Sequence, residues 1–223
     1  KTAWESGIHE FDTAQAYGQS EAILGQAIRK LQIGRLAKIT TKLHPELNHL
    51  DSSIMRQALK QSLDRLNVGK LHCLMLHREE MMDLSEDGLR DILKSFVTEG
   101  LVEHIGVSVY SPSRALQAIS TEGIEIIQLP TNILDRRFEK ADVFEAAKKE
   151  KKETYIRSVF LQGLILMMPQ ELPDNLALAR PYVEKILSLS RENKISERQL
   201  ALGYVKYAMP NAKIVVGIEN SMQ

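Results

Sequence analysis

Cysteine is almost absent from this chain of 223 residues: Cys73 stands alone, so no disulfide can form within it and a cysteine-based metal cage is excluded. Cys73 lies in an apolar, strand-like run, where a small buried hydrophobe is the expected role rather than a reactive thiol. Neither sign of charge is in excess, since 29 Lys plus Arg balance 29 Asp plus Glu. A nucleic-acid partner would leave a basic surplus, so none is expected, although a local basic site for a phosphate stays compatible with the balance. No apolar run approaches the roughly 18 residues of a membrane span. The opening Lys1–Gly7 has no hydrophobic region of the signal-peptide kind. These absences lead to the expectation of a soluble, cytoplasmic protein with no membrane partner. There is no repeat, no low-complexity stretch and no interdomain linker, so one domain over residues 1–223 is expected.

Present instead is a steady alternation of strand-like and helix-like stretches. Short β-rich runs fall at Ile8–Thr13, Ala37–Lys42, Leu71–Leu76, His104–Ser108, Glu125–Gln128, Thr154–Phe160 and Lys213–Gly217. Amphipathic stretches of helical period lie between them: Ser20–Lys30, Ser52–Leu66, Ser85–Thr98, Pro112–Ile119, Lys140–Glu150 and Pro181–Glu192. Ser196 with Gln199 predicts a capping box opening a last helix through Ala208. Gly34, Gly69, Gly100 and Gly123 sit where left-handed helix caps are expected. Leu164–Leu178 is expected to be a long loop. With 43% apolar residues a sizeable core is available. Alternation of apolar strands with helices implies a parallel sheet covered by helices. No G-x-G-x-x-G turn follows the first strand, which argues against a dinucleotide-binding Rossmann sheet. Doubly wound sheets and closed barrels both satisfy this alternation, and of the two the expected fold is an α/β, (β/α)8 TIM-type barrel. Seven strand candidates are visible, and the chain is expected to lack the first strand of the eight; an intact seven-stranded fold is the alternative.

In a parallel barrel all strand C-termini open onto one face. Asp12 closes the first candidate strand, Tyr17 follows in a short loop, Lys42 ends the second, and His77 ends the third. The topology alone brings Asp12, Lys42 and His77 together beneath Tyr17. A tyrosine titrates near 10, so acid–base work near neutrality favours a neighbouring ammonium that lowers it. Lys42 is expected to do this, with Asp12 holding the lysine charged. His77 could hydrogen-bond a substrate oxygen or relay a proton. The set suits protonation of an oxygen as hydride reaches its carbon.

These residues lie in a longer pattern. Gly7-Ile8-His9-Glu10-Phe11-Asp12-Thr13-Ala14-Gln15-Ala16-Tyr17-Gly18 closely resembles the G-I-x-x-F-D-T-A-x-x-Y-G signature of the aldo-keto reductases. Thr41-Lys42, Ser62-Leu63-Asp64-Arg65-Leu66, Leu74-Met75-Leu76-His77, Ile105-Gly106-Val107-Ser108 and Val215-Val216-Gly217 resemble further family segments in order. The segment Arg157-Ser158-Val159-Phe160-Leu161-Gln162-Gly163-Leu164 resembles a bacterial branch of that family.

The resemblance implies NAD(P)H-dependent reduction of an aldehyde or ketone, sugar-like by analogy with that branch. Tyr17 would be the general acid, with Asp12, Lys42 and His77 completing the tetrad and no metal in the site. It further implies that Ser108 and Gln128 hold the nicotinamide amide, and that Ser158, Leu161 and Gly163 lie by the pyrophosphate. Gly217, Glu219 and Asn220 would then lie by the adenosine end. Val109 stands where many members carry Asn, and Arg157 where an aromatic residue often stacks on the nicotinamide. Glu219 would repel a 2′-phosphate, so NADP(H) and NAD(H) both stay open. The expected partner is a small-molecule carbonyl substrate, and oligomeric state is not legible. Two other roles fit the residues: a non-catalytic nucleotide-binding barrel acting as sensor or regulatory subunit, and a nicotinamide-dependent sugar epimerase or dehydratase.

Overall fold

The computed structural model describes residues 1–218 and 220. Its elements run α1 (Thr2–Glu5), β1 (Glu10–Asp12), α2 (Ser20–Leu31), β2 (Lys38–Lys42), α3 (Ser52–Leu66), β3 (Leu71–Leu76) and α4 (Arg90–Thr98). They continue with β4 (Val102–Ser108), α5 (Pro112–Ser120), β5 (Ile126–Pro130), α6 (Arg137–Lys140) and α7 (Val143–Lys149). The last are β6 (Glu153–Arg157), α8 (Arg180–Asn193), α9 (Glu197–Ala208) and β7 (Lys213–Ile214). All seven strands are parallel and lie in sequence order, β1 to β7. Strict sequence order distinguishes a barrel winding from a doubly wound sheet, whose order reverses at a switch point.

The sheet is curled, and a side-chain bridge links its first and last strands. Lys213 Nζ on β7 lies 3.1 Å from both carboxylate oxygens of Glu10 on β1. No backbone pairing joins β1 to β7 among the described residues, so the barrel is open at one seam. The fold is the (β/α)8 barrel type with seven of its strands present.

The apolar residues sort into two clusters because a barrel strand has two faces. The large one lies between the sheet and the helices and includes Ile39, Leu59, Leu74, Leu76, Phe96, Val107, Ile127 and Ile156. The small one, Cys73, Met75, Ile126 and Tyr155, forms a second, separate core. Cys73 is fully buried, and burial pushes its thiol pKa well up, consistent with a packing role. Gly25 is where α2 and α3 touch: a Cβ there would fall 1.9 Å from the Arg65 carbonyl oxygen.

The capping box of α9 is formed as expected, Ser196 and Gln199 bonding reciprocally. Several other expectations are corrected. The helix expected over Ser85–Thr98 begins only at Arg90, because Gly88 adopts φ 116° and a 3-10 turn, Glu79–Leu84, precedes it. Lys140–Glu150 is split by Asp142, at φ 53°, into α6 and α7. The strand expected to reach Phe160 stops at Arg157, since Ser158 turns to φ 63°. The last strand is Lys213–Ile214 rather than a run to Gly217. Leu164–Leu178 is a long connection as expected, without strand or α-helix, and is punctuated by short 3-10 turns at Leu161–Leu166, Pro169–Glu171 and Asp174–Ala179. Gly100 and Gly123 are left-handed as expected, whereas α2 and α3 are capped by Gln32 and Asn67 rather than by Gly34 and Gly69. No helix is long and apolar enough to cross a membrane among the described residues.

Candidate active site

β1, β2 and β3 pair in register, Asp12 with Thr40 and Lys42 with Met75, so their C-terminal ends deliver Asp12, Lys42 and His77 to one face. Lys42 is 1% exposed, and its ammonium lies 2.6 Å from Asp12 Oδ2. It also donates to the Thr13 carbonyl at 3.2 Å. The other Asp12 oxygen accepts from the Gln128 amide at 2.9 Å, across the barrel from β5. Burial lowers the Lys42 pKa, and Asp12 opposes that shift.

Tyr17 is carried by a tight turn in which its N–H donates to Ala14 O and Ser20 N–H donates to Tyr17 O, with Gly18 at φ 56°. Its ring is 50% exposed. Lys42 Nζ lies 5.4 Å from the ring centroid, and the His77 ring meets it edge-on at 5.7 Å. The expectation that Lys42 lowers the Tyr17 pKa is corrected. Burial raises it above 10, the Asp12 charge raises it further, and of the nearby cations Arg157 pulls it down. The reason is geometric: the lysine faces the ring and is already neutralised by Asp12. His77 is shifted below 6.5 by burial and by the Lys42 and Arg78 charges, and its Nδ1 is buried without a partner among the described residues.

Three supports escaped the sequence reading. Gln15 ties the Tyr17 loop to its surroundings, donating to Ala58 O at 3.1 Å and Ser62 Oγ at 2.9 Å and accepting from His44 N–H at 2.7 Å. Glu21 is buried beneath the loop and accepts from Thr41 Oγ1 at 2.6 Å and Arg65 Nε at 2.7 Å. Tyr110 stacks under Arg157, whose guanidinium carbon is 4.3 Å from the ring centroid. Only Glu21 carried a signal, as an acidic residue in the first turn of an amphipathic helix directly after the Tyr17 loop.

The whole chain, residues 1–223, matches the sequence profile described as "Aldo/keto reductase family". The chain belongs to the aldo/keto reductase family. A relative named "Probable aldo-keto reductase 1" from Glycine max is 25% identical, over 92% of this chain and 65% of its own length. "Pyridoxal reductase, chloroplastic" from Arabidopsis thaliana is 34% identical over 56% of this chain and 38% of its own length. The chain thus spans less than two thirds of these relatives. A solved aldo-keto reductase from Klebsiella pneumoniae, in complex with NADPH, superposes with TM-score 0.77 at 22% identity, over 99% of this chain and 73% of that one.

Of the residues that the family resemblance assigns to cofactor, Ser108 is buried at the end of β4 and Gln128 in the middle of β5. The Gln128 amide nitrogen is engaged by Asp12, which leaves its oxygen as the side-chain group for an amide ligand. Val109 is fully buried, its N–H donating to Gln128 O at 2.8 Å. Ser158, Leu161, Gln162 and Gly163 all have positive φ, a run that folds backbone N–H groups into a concave turn, the kind of surface that suits an anion. Asn132 anchors this turn by donating to Ser158 O at 3.2 Å. Arg157 Nη2 is buried and has no hydrogen-bond partner among the described residues. Gly217 and Asn220 lie exposed past β7, and Glu219 is outside the described residues.

Proposed function

We propose that this chain, acting as one barrel domain, reduces an aldehyde or ketone to an alcohol with a nicotinamide cofactor and with Tyr17 as proton donor. The observation that carries the reading is the buried Lys42–Asp12 pair set against the face of the Tyr17 ring. Two buried polar atoms without partners among the described residues, His77 Nδ1 and Arg157 Nη2, suit a polar ligand at this end of the barrel, as does the left-handed turn at Ser158–Gly163. The solved relative with NADPH supports the same cofactor class. When bound, the cofactor supplies hydride to the carbonyl carbon.

The residues of this chain account for the rest. Tyr17, with its pKa raised, carries its proton through neutral pH and gives it to the carbonyl oxygen as that oxygen gains the electron pair of the broken π bond. Charge then appears on the phenolate, and Arg157, the cation that favours that form, stabilises it, while the Lys42–Asp12 pair packs against the ring. Asp12 keeps Lys42 charged against the cost of burial. His77, neutral at physiological pH, orients the carbonyl oxygen beside Tyr17.

The test is the fall of nicotinamide absorbance with NADPH or NADH and a panel of aldehydes, sugar-like ones included. Tyr17→Phe should cut turnover by roughly 10² or more while cofactor affinity stays within about twofold. Unchanged turnover in that variant overturns the assignment of the proton donor. Cofactor binding with no carbonyl reduced favours a regulatory barrel, and an isomer formed with no net cofactor consumption favours an epimerase.

A further inference from the structure

The opposite end of the barrel carries a second polar cluster. His72, Glu103 and His104 sit at the starts of β3 and β4, and register places Cys73 beside His104. His72 is five residues before His77, which directly follows β3, about 16 Å away at the usual strand rise. One ring nitrogen from each histidine and a Glu103 carboxylate oxygen all lie within 4.8 Å of one another. His72 Nδ1 is 2.9 Å from Glu103 Oε2, and the two imidazole rings are 5.1 Å apart.

The outer partners of the two rings decide what these atoms face. The Tyr155 hydroxyl donates to Glu10 Oε2 and accepts from Lys213 Nζ at 3.2 Å, and its remaining lone pair lies 3.3 Å from His72 Nε2. A neutral His72 donating there turns the bare lone pair of Nδ1 toward a carboxylate, a contact that asks for a cation between them. His104 donates through Nδ1 to Glu125 Oε2 at 2.8 Å, which leaves Nε2 as its ligating atom. A carboxylate or hydroxyl behind each histidine is the outer arrangement that fixes the tautomer of metal-bound imidazoles. Tetrahedral Zn²⁺ bonds of 2.0–2.2 Å set neighbouring ligand atoms about 3.3 Å apart, so a shift of a few tenths of an ångström admits an ion between His72 and Glu103. Lys70 Nζ occupies the other Glu103 oxygen at 2.6 Å and is half exposed, free to swing away. Glu10, Glu125 and Glu153 add negative charge around the cluster against Lys38 and Lys213.

We propose that His72, Glu103 and His104 form a binding site for one divalent first-row transition metal ion, which ties β3 to β4 at the end of the barrel opposite Tyr17. Imidazole and carboxylate donors select Zn²⁺, Ni²⁺ or Cu²⁺ over Mg²⁺ or Ca²⁺. A proton on His72 is the competing occupant of the same gap.

The test uses the full chain free of any affinity tag and Zn²⁺ alone, by calorimetric titration and thermal unfolding. One Zn²⁺ should bind saturably and raise Tm, while Mg²⁺ does neither. His104→Ala, at a half-exposed position, should fold normally and weaken Zn²⁺ binding at least about tenfold, and Glu125→Gln should weaken it by roughly tenfold through loss of the outer partner. Glu103→Gln should abolish saturable binding, which keeps the test independent of the buried His72. Cys73→Ser should leave affinity unchanged. Absence of saturable binding overturns the proposal in favour of the proton. Binding of undiminished affinity in His104→Ala, or its loss in Cys73→Ser, overturns it in favour of adventitious or thiol ligation. None of these readouts depends on carbonyl reduction.

Discussion

Lys42 and Asp12 form a buried ion pair at 2.6 Å between the ends of neighbouring strands, and the lysine has almost no contact with water. Such a pair contributes little net stability, because desolvating both charges offsets their attraction, but removing one partner strands the other. Asp12→Asn should therefore lower unfolding free energy by about 3 kcal/mol in urea titrations. A loss below about 1 kcal/mol would mean that water reaches Lys42 in the folded state.

The pH dependence of reduction follows from the signs of two shifts. Tyr17 donates only while protonated, and its pKa lies above 10, so kcat/KM should fall only on the alkaline side of 10. His77 is shifted below 6.5, so any acid limb should lie below that value. Arg157 favours the phenolate, and Arg157→Met should move the alkaline limb to higher pH. An alkaline limb below 10 in the unmodified protein contradicts this account.

Glu139 links α6 to α9, paired with Arg136 at 2.6 Å and accepting from the Tyr204 hydroxyl, and these contacts hold its pKa at about 2. A depressed carboxylate contributes stability above its unfolded value of 4.5 and loses it as pH falls toward 2. Exposure and screening limit the effect to about 1 kcal/mol. Glu139→Gln should flatten the stability curve between those pH values, measured as Tm against pH. Equal slopes in both proteins would remove Glu139 from the account.

Gly25→Ala should be costly although the residue lies within a helix, where alanine is normally preferred. The new methyl group would meet the Arg65 carbonyl at 1.9 Å, so α2 and α3 must separate. A loss of about 2–3 kcal/mol in chemical denaturation is expected, with weaker turnover as the Arg65–Glu21 support moves. A stabilised variant would show that the helices part freely.

Much of the architecture was legible because it is written in short-range patterns. β3, Leu71–Leu76, is buried throughout, and its continuous apolar run announces a strand covered on both faces. The amphipathic period of Ser52–Leu66 matches α3 residue for residue. Parallel strands joined by helices then place Asp12, Lys42 and His77 on one face without further information. The misjudged helix boundaries share one cause: a single residue of positive φ, Gly88 or Asp142, interrupts a side-chain periodicity that continues past it.

By itself, then, the sequence determined the order of strands and helices, the parallel sheet and the strand ends at which the polar residues emerge. All of these follow from apolar periodicity and chain topology. The tertiary structure alone decided the direction of the Tyr17 shift, the engagement of Gln128 by Asp12, the Arg157–Tyr110 stack and the bridge from Glu10 to Lys213. The contacts among these join residues tens to hundreds of positions apart, and a pKa depends on the burial and charge that such contacts create. No local pattern encodes either.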